Sequence, residues 1–136
     1  MTFDKASDYG RFMSWAESVG RQCEEVDGGL IIAIPSSRGK FSAIVWFSDL
    51  WCEIVLPNFD DLELTDDGLS HALALGKLNY GHGVARFGIG PDGKEIQLIV
   101  AALRPLDLSA DFFAMLVVNT DGAVADYSEQ MWGSRI

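Results

Sequence analysis

The chain has 136 residues, 49% of them hydrophobic, enough for the core of one domain and too apolar for intrinsic disorder. Twenty acidic residues against ten basic ones set a formal net charge of -10, which repels nucleic-acid phosphates and anionic membrane surfaces. Only two cysteines, Cys23 and Cys52, rule out a disulfide scaffold; their apolar neighbours point to buried free thiols in a reducing cytoplasm.

The first residues, Met1–Ala6, carry no basic stretch followed by an apolar one, so no secretory signal is expected. The longest apolar run, Phe112–Val118, falls well short of the roughly 20 residues that span a bilayer. Residues 3–19 predict a first helix. Tyr9, Met13 and Ala16 recur at helical spacing with Phe12, Trp15 and Val19 beside them, Thr2 or Asp4 is placed to cap the start, and Gly20 suits the end. Asp27-Gly28-Gly29 is a turn signal, followed by a short strand, Leu30–Ile34, that Pro35 is expected to stop. Phe41–Phe47 and Trp51–Leu56 are rich in β-branched and aromatic residues and predict two more strands, giving a three-stranded antiparallel meander.

Pro57–Asp67 reads as a solvated acidic loop holding Asp60, Asp61, Glu63, Asp66 and Asp67. A second helix is expected from Asp67 or Gly68 to about Asn79, with Leu69, Leu73 and Gly76 on one face, Ala72 and Leu75 close by, and Lys77 near its end. Val84–Ile89 and Glu95–Leu103 predict a hairpin around Gly90-Pro91-Asp92-Gly93, because proline presets φ and glycine accepts a positive φ. Ser109 is placed to cap a last helix reaching about Trp132, with Phe113, Leu116, Val117, Val124 and Tyr127 on one face; by composition Phe112–Val118 also suits a strand followed by a turn at Asn119-Thr120-Asp121-Gly122, and the shared helical face favours the helix. The expected architecture is a single α+β domain over residues 1–136, in the order α-β-β-β-α-β-β-α, with an antiparallel sheet packed against helices.

Motifs for catalysis are absent or misplaced. Gly88-Ile89-Gly90-Pro91-Asp92-Gly93 has the letters of a dinucleotide fingerprint, but Pro91 deletes an amide and the segment leads into a strand rather than a helix. Asn119-Thr120-Asp121-Gly122 fails as a calcium loop, since Val117 and Ser128 stand where ligands are required. His71 and His82 are not grouped with each other or with the cysteines, and no nucleophile elbow occurs. The chain is therefore expected to be non-enzymatic, without cofactor or metal; the alternative is a small enzyme or ligand-binding domain with a pocket between helix and sheet.

The sheet is more informative. In Phe41–Phe47, alternate residues Phe41, Ala43, Val45 and Phe47 form one face, while Ser42, Ile44 and Trp46 form the other. In Glu95–Leu103, Ile96, Leu98, Val100 and Ala102 oppose Ile99, Ala101 and Leu103. Both faces are apolar. Either helices cover both, or one face is left for another polypeptide. The second case nominates Ile44, Trp46, Ile99, Ala101 and Leu103 as protein-binding residues, with Trp46 as anchor; the first places Trp46 in the core.

Leu78-Asn79, Ala85–Ile89, Pro91-Asp92-Gly93, Leu106–Ser109, Phe112 and Trp132 together resemble class I type III secretion chaperones. The same residues are similar to those of the YbjN-like proteins, the bacterial sensory transduction regulators, to which that fold is also ascribed. The resemblance covers most of the second half of the chain, and the first half by element order. It implies a small, acidic, cytoplasmic homodimer without catalysis that binds an extended segment of a partner protein, or a regulator acting on another partner. The chain departs from the pattern where Gly122 falls inside the expected last helix and where the first strand region lacks a clear counterpart.

Overall fold

The computed structural model describes residues 5–61, 68–81 and 83–133, with backbone alone for 5 and 68–72. Helix α1 spans Lys5–Ser18 and is followed by four antiparallel strands, β1 (Cys23–Val26), β2 (Gly29–Ser36), β3 (Gly39–Phe47) and β4 (Trp51–Asp61). Helix α2 (Gly68–Gly81), strands β5 (Ala85–Ile89) and β6 (Glu95–Leu103), and helix α3 (Ala110–Tyr127) complete the order, with a π-helical turn over Ser128–Trp132. The six strands form one sheet, β1-β2-β3-β4-β6-β5. The expected α+β class and antiparallel sheet are present. The meander, however, has four strands rather than three, because Cys23-Glu24-Glu25-Val26 adds β1 at its edge.

Local chemistry explains most boundaries. Gly20, at φ +76°, ends α1: its N–H donates to Glu17 O, and the Arg21 N–H donates to Ala16 O at 2.8 Å, closing the carbonyls of the last turn. The proposed caps Thr2 and Asp4 lie outside the described residues. Gly28, at φ +79°, turns β1 into β2. β2 does not stop at Pro35. That residue pairs with Lys40, and its nitrogen faces the side on which β1 has already ended, so no ladder bond is lost. Gly93, at φ +73°, closes the β5–β6 turn, with the Asp92 carboxylate accepting the Lys94 N–H.

The Pro57–Asp67 loop is corrected in its first half. β4 continues to Asp61, and an irregularity between Leu56 and Asp60 changes the phase so that Phe59 turns inward after Leu56. Residues 62–67 lie outside the described part. Among the described side chains of α2, Leu75 and Leu78 are buried, while Leu73 and Gly76 are exposed; the side chain of Leu69 lies outside the described residues.

Ser109 caps α3 as expected, its Oγ accepting the Phe112 N–H at 3.2 Å. The helix runs unbroken through Gly122. Phe113, Leu116, Val117, Val124 and Tyr127 are buried. α1 and α3 pack on the face of the sheet formed by Leu30, Ile32, Ile34, Ala43, Val45, Phe47, Ile54, Leu98 and Val100, and α2 lies against β5 and α3. Arg104 after β6 ties this layer to α1, donating to the buried carboxylate of Asp8 at 2.6 Å.

Candidate functional site

The alternation expected of the strands resolves into one covered face and one open face. Among the described residues, no helix lies over the second face. There the antiparallel registers line up a row across all six strands: Glu24 opposite Ile31, Ile31 opposite Ile44, Ile44 opposite Val55, Val55 opposite Ile99, and Ile99 opposite Arg86. Four apolar side chains are thus contiguous, with an acid at the β1 end and a base at the β5 end. A second row carries Trp46, Glu53 and Ala101 side by side, and beyond it Trp51 lies opposite Leu103.

All five residues nominated from the sequence fall on this face. Ile44 and Trp46 are 40% and 42% exposed, and Leu103 is 67% exposed. Ile99 and Ala101 are half-buried, as expected for small and branched side chains flanked by neighbouring strands. The placement of Trp46 in the core is overturned: Phe47, one residue on, is fully buried, and the pleat sends Trp46 the other way. Ile31, Trp51, Val55, Glu24 and Arg86 belong to the same surface and were not singled out. The period-two pattern of Leu30–Ile34 and Trp51–Leu56 carries the signal for Ile31 and Val55.

The two edges of the sheet differ. At β5 the carboxamide of Asn79 on α2 takes both outward groups of Phe87, donating from Nδ2 to its carbonyl at 2.9 Å and accepting its N–H on Oδ1 at 2.6 Å. At Phe87 the β5 edge is thereby closed to further pairing. At β1 the edge is protected instead by the exposed side chains of Glu24 and Glu25.

Other features favour structure over chemistry. Burial pushes the thiols of Cys23 and Cys52 up to about 11, so neither is poised as a nucleophile near neutral pH. Asp60 is not a solvated acid: its Oδ2 accepts the Tyr127 hydroxyl at 2.6 Å and the Trp132 indole N–H at 3.1 Å. Gly88–Gly93 forms the β5–β6 hairpin, and Asn119–Gly122 lies within α3. His82 and the side chain of His71 lie outside the described residues. A cleft of about 590 Å³ opens between α2 and the end of α3, lined by Leu73, Lys77, Leu78, Asp126 and Gln130 among others.

The crystal structure of YbjN from E. coli, a candidate transcription regulator, resembles the chain with a TM-score of 0.62 over 89% of this chain and 91% of that one. The chain has a YbjN-like fold. Sequence identity with YbjN is 13%, so the likeness is one of fold alone. No protein-family model matches the chain, and no curated protein matches it. No helix among the described residues is long and apolar enough to cross a membrane.

Proposed function

We propose that the protein is a non-catalytic protein-binding domain whose working surface is the open face of its sheet. The observation that carries this reading is the unbroken apolar row Ile31, Ile44, Val55 and Ile99, flanked by the exposed indole of Trp46. A monomeric fold gains nothing from an apolar row left partly exposed to water, whereas a polypeptide laid on it removes that surface from solvent. Trp46 has the size and position of an anchor. The net charge of -10 keeps such a surface soluble while it is vacant. The resemblance to secretion chaperones implies an extended partner segment and a homodimer as occupants of apolar surface. The YbjN-like fold equally suits a regulator that works by holding another protein.

The test uses the full chain. Light scattering and affinity purification from the host measure self-association and stoichiometric polypeptide partners, for the unaltered protein and for Trp46→Asp. The reading expects at least one of these associations, and expects Trp46→Asp to abolish it without lowering the melting temperature appreciably. A protein that neither self-associates nor holds a polypeptide, or whose associations survive Trp46→Asp, overturns it.

A further inference from the structure

We infer that the polypeptide held on the open face presents an arginine side chain at its centre, whose guanidinium lies against Trp51 and pairs with Glu53. This inference rests on the protein-binding reading and names what its partner carries.

Glu53 breaks the apolar character of the face at its middle. It is half-buried on β4, with Trp46 opposite it on β3 and Ala101 opposite it on β6. Along its own strand the same face carries Trp51 before it and Val55 after it. The carboxylate is thus ringed by four apolar side chains. Among the described residues it accepts no hydrogen bond and joins no ion pair. Arg86 lies two strands away in the next row, and Arg104 is held by Asp8.

While the face is open, water solvates this carboxylate. A polypeptide that covers the face strips the water away, and an ionised carboxylate sealed among apolar groups without a counter-charge is strongly unfavourable. The face therefore accepts a segment that brings a cation to this point and rejects one that does not. Rejection of that kind lets a single charge in an apolar surface set specificity. The net charge of -10 draws a cationic segment in from solution.

Trp51 decides between the two cationic side chains. It stands two residues before Glu53, about 7 Å away along the strand, and is 44% exposed. A guanidinium is planar and weakly hydrated, so it stacks on an indole while its fork meets a carboxylate; an ammonium is a hydrated point charge without that fork. Leu103, opposite Trp51 and well exposed, offers apolar surface to the methylene stem of the arginine. The site needs no free group on Trp46, which bounds it on the β3 side.

The test measures binding of fluorescein-labelled seven-residue peptides to the full chain by fluorescence anisotropy. Each peptide alternates valine with threonine around a central arginine, citrulline, lysine or glutamate. Citrulline keeps the shape of arginine and removes its charge. The arginine peptide is expected to bind about tenfold tighter than the citrulline peptide and about threefold tighter than the lysine peptide. Glu53→Gln should bring arginine and citrulline to within about twofold of each other, and Trp51→Leu should erase the advantage of arginine over lysine. Glu53→Lys should turn the preference towards the glutamate peptide. Circular dichroism melting checks that each variant folds.

Citrulline bound as tightly as arginine, or a preference for arginine that survives Glu53→Gln, overturns the inference and leaves the protein-binding reading standing. Lysine bound as tightly as arginine overturns the choice of arginine. If no peptide is held, the polypeptide captured from the host decides. Its loss with Glu53→Gln and retention with Glu53→Asp supports the inference, and its retention with Glu53→Gln overturns it. A protein that captures none overturns it as well, and takes the protein-binding reading with it where self-association is also absent.

Discussion

The carboxamide of Asn79 pairs with Phe87 as an additional strand residue would, taking its outward N–H and carbonyl in one bidentate contact. Through it a helix closes the β5 edge of a sheet whose β1 edge is guarded by charge. Asn79→Leu keeps the size of the side chain and leaves both Phe87 groups without this partner. The expected loss is about 1–3 kcal/mol, seen as a lower melting temperature. Hydrogen exchange at the Phe87 amide should accelerate. Unchanged protection at that amide would mean that the edge is closed by other contacts.

Trp46 and Phe47 are neighbours in sequence and opposites in environment. Phe47 stacks near Tyr9 at a ring separation of 5.3 Å and meets Phe12 and Phe113 in the core. Phe47→Ala should therefore cost about 3–5 kcal/mol. Trp46→Ala should cost under about 1 kcal/mol in the isolated protomer, while weakening association. Denaturant unfolding of the two variants at low protein concentration provides the comparison, and similar losses for both would contradict the assignment of the two faces.

Asp60 holds the C-terminal π-helical turn to the sheet by accepting from both Tyr127 and Trp132. Asp60→Ala leaves the buried Tyr127 hydroxyl without that acceptor, with an expected destabilisation of about 1–3 kcal/mol. The Trp132 environment should change at the same time. Its ring stacks on Phe41 at 6.0 Å and lies under Arg38 at 4.3 Å, so a shift in tryptophan emission reports release of the turn.

Both thiols are raised from an ordinary value of 9.0 to about 11, chiefly by burial; the Glu24 charge adds to the rise at Cys23, and Arg104 opposes it at Cys52. The unfolded chain releases these protons at lower pH than the folded one. Their contribution to stability is therefore complete below about pH 9 and is lost as pH rises towards 11. The Tyr9 phenol, also raised mainly by burial, acts in the same direction at higher pH. Denaturant midpoints across this range should fall, and Cys23→Ala/Cys52→Ala should flatten the decline. Thiol alkylation of the native protein should be slow at pH 8 and rise steeply above pH 10.

Much of the fold is legible in local chemistry. Period-two alternation marks β3 and β6, Gly20 and Gly93 supply positive φ where the chain turns, and Ser109 caps α3, because each of these signals acts within a few residues. The same pattern groups Ile44 with Trp46, and Ile99 with Ala101 and Leu103, since the pleat fixes which side chains share a face. Which face the helices cover is decided by how α1 and α3 dock, a long-range packing outcome that no strand encodes in its own sequence. β1 is not legible either. Cys23-Glu24-Glu25-Val26 has no apolar alternation and is a strand because β2 offers it an edge to pair with. Asp60 reads as a solvated acid until the irregularity in β4 turns Phe59 inward and sets the carboxylate beside Tyr127 and Trp132. The acid-to-base row from Glu24 to Arg86 exists only in the assembled sheet, where six registers bring together residues that the sequence holds up to 75 positions apart.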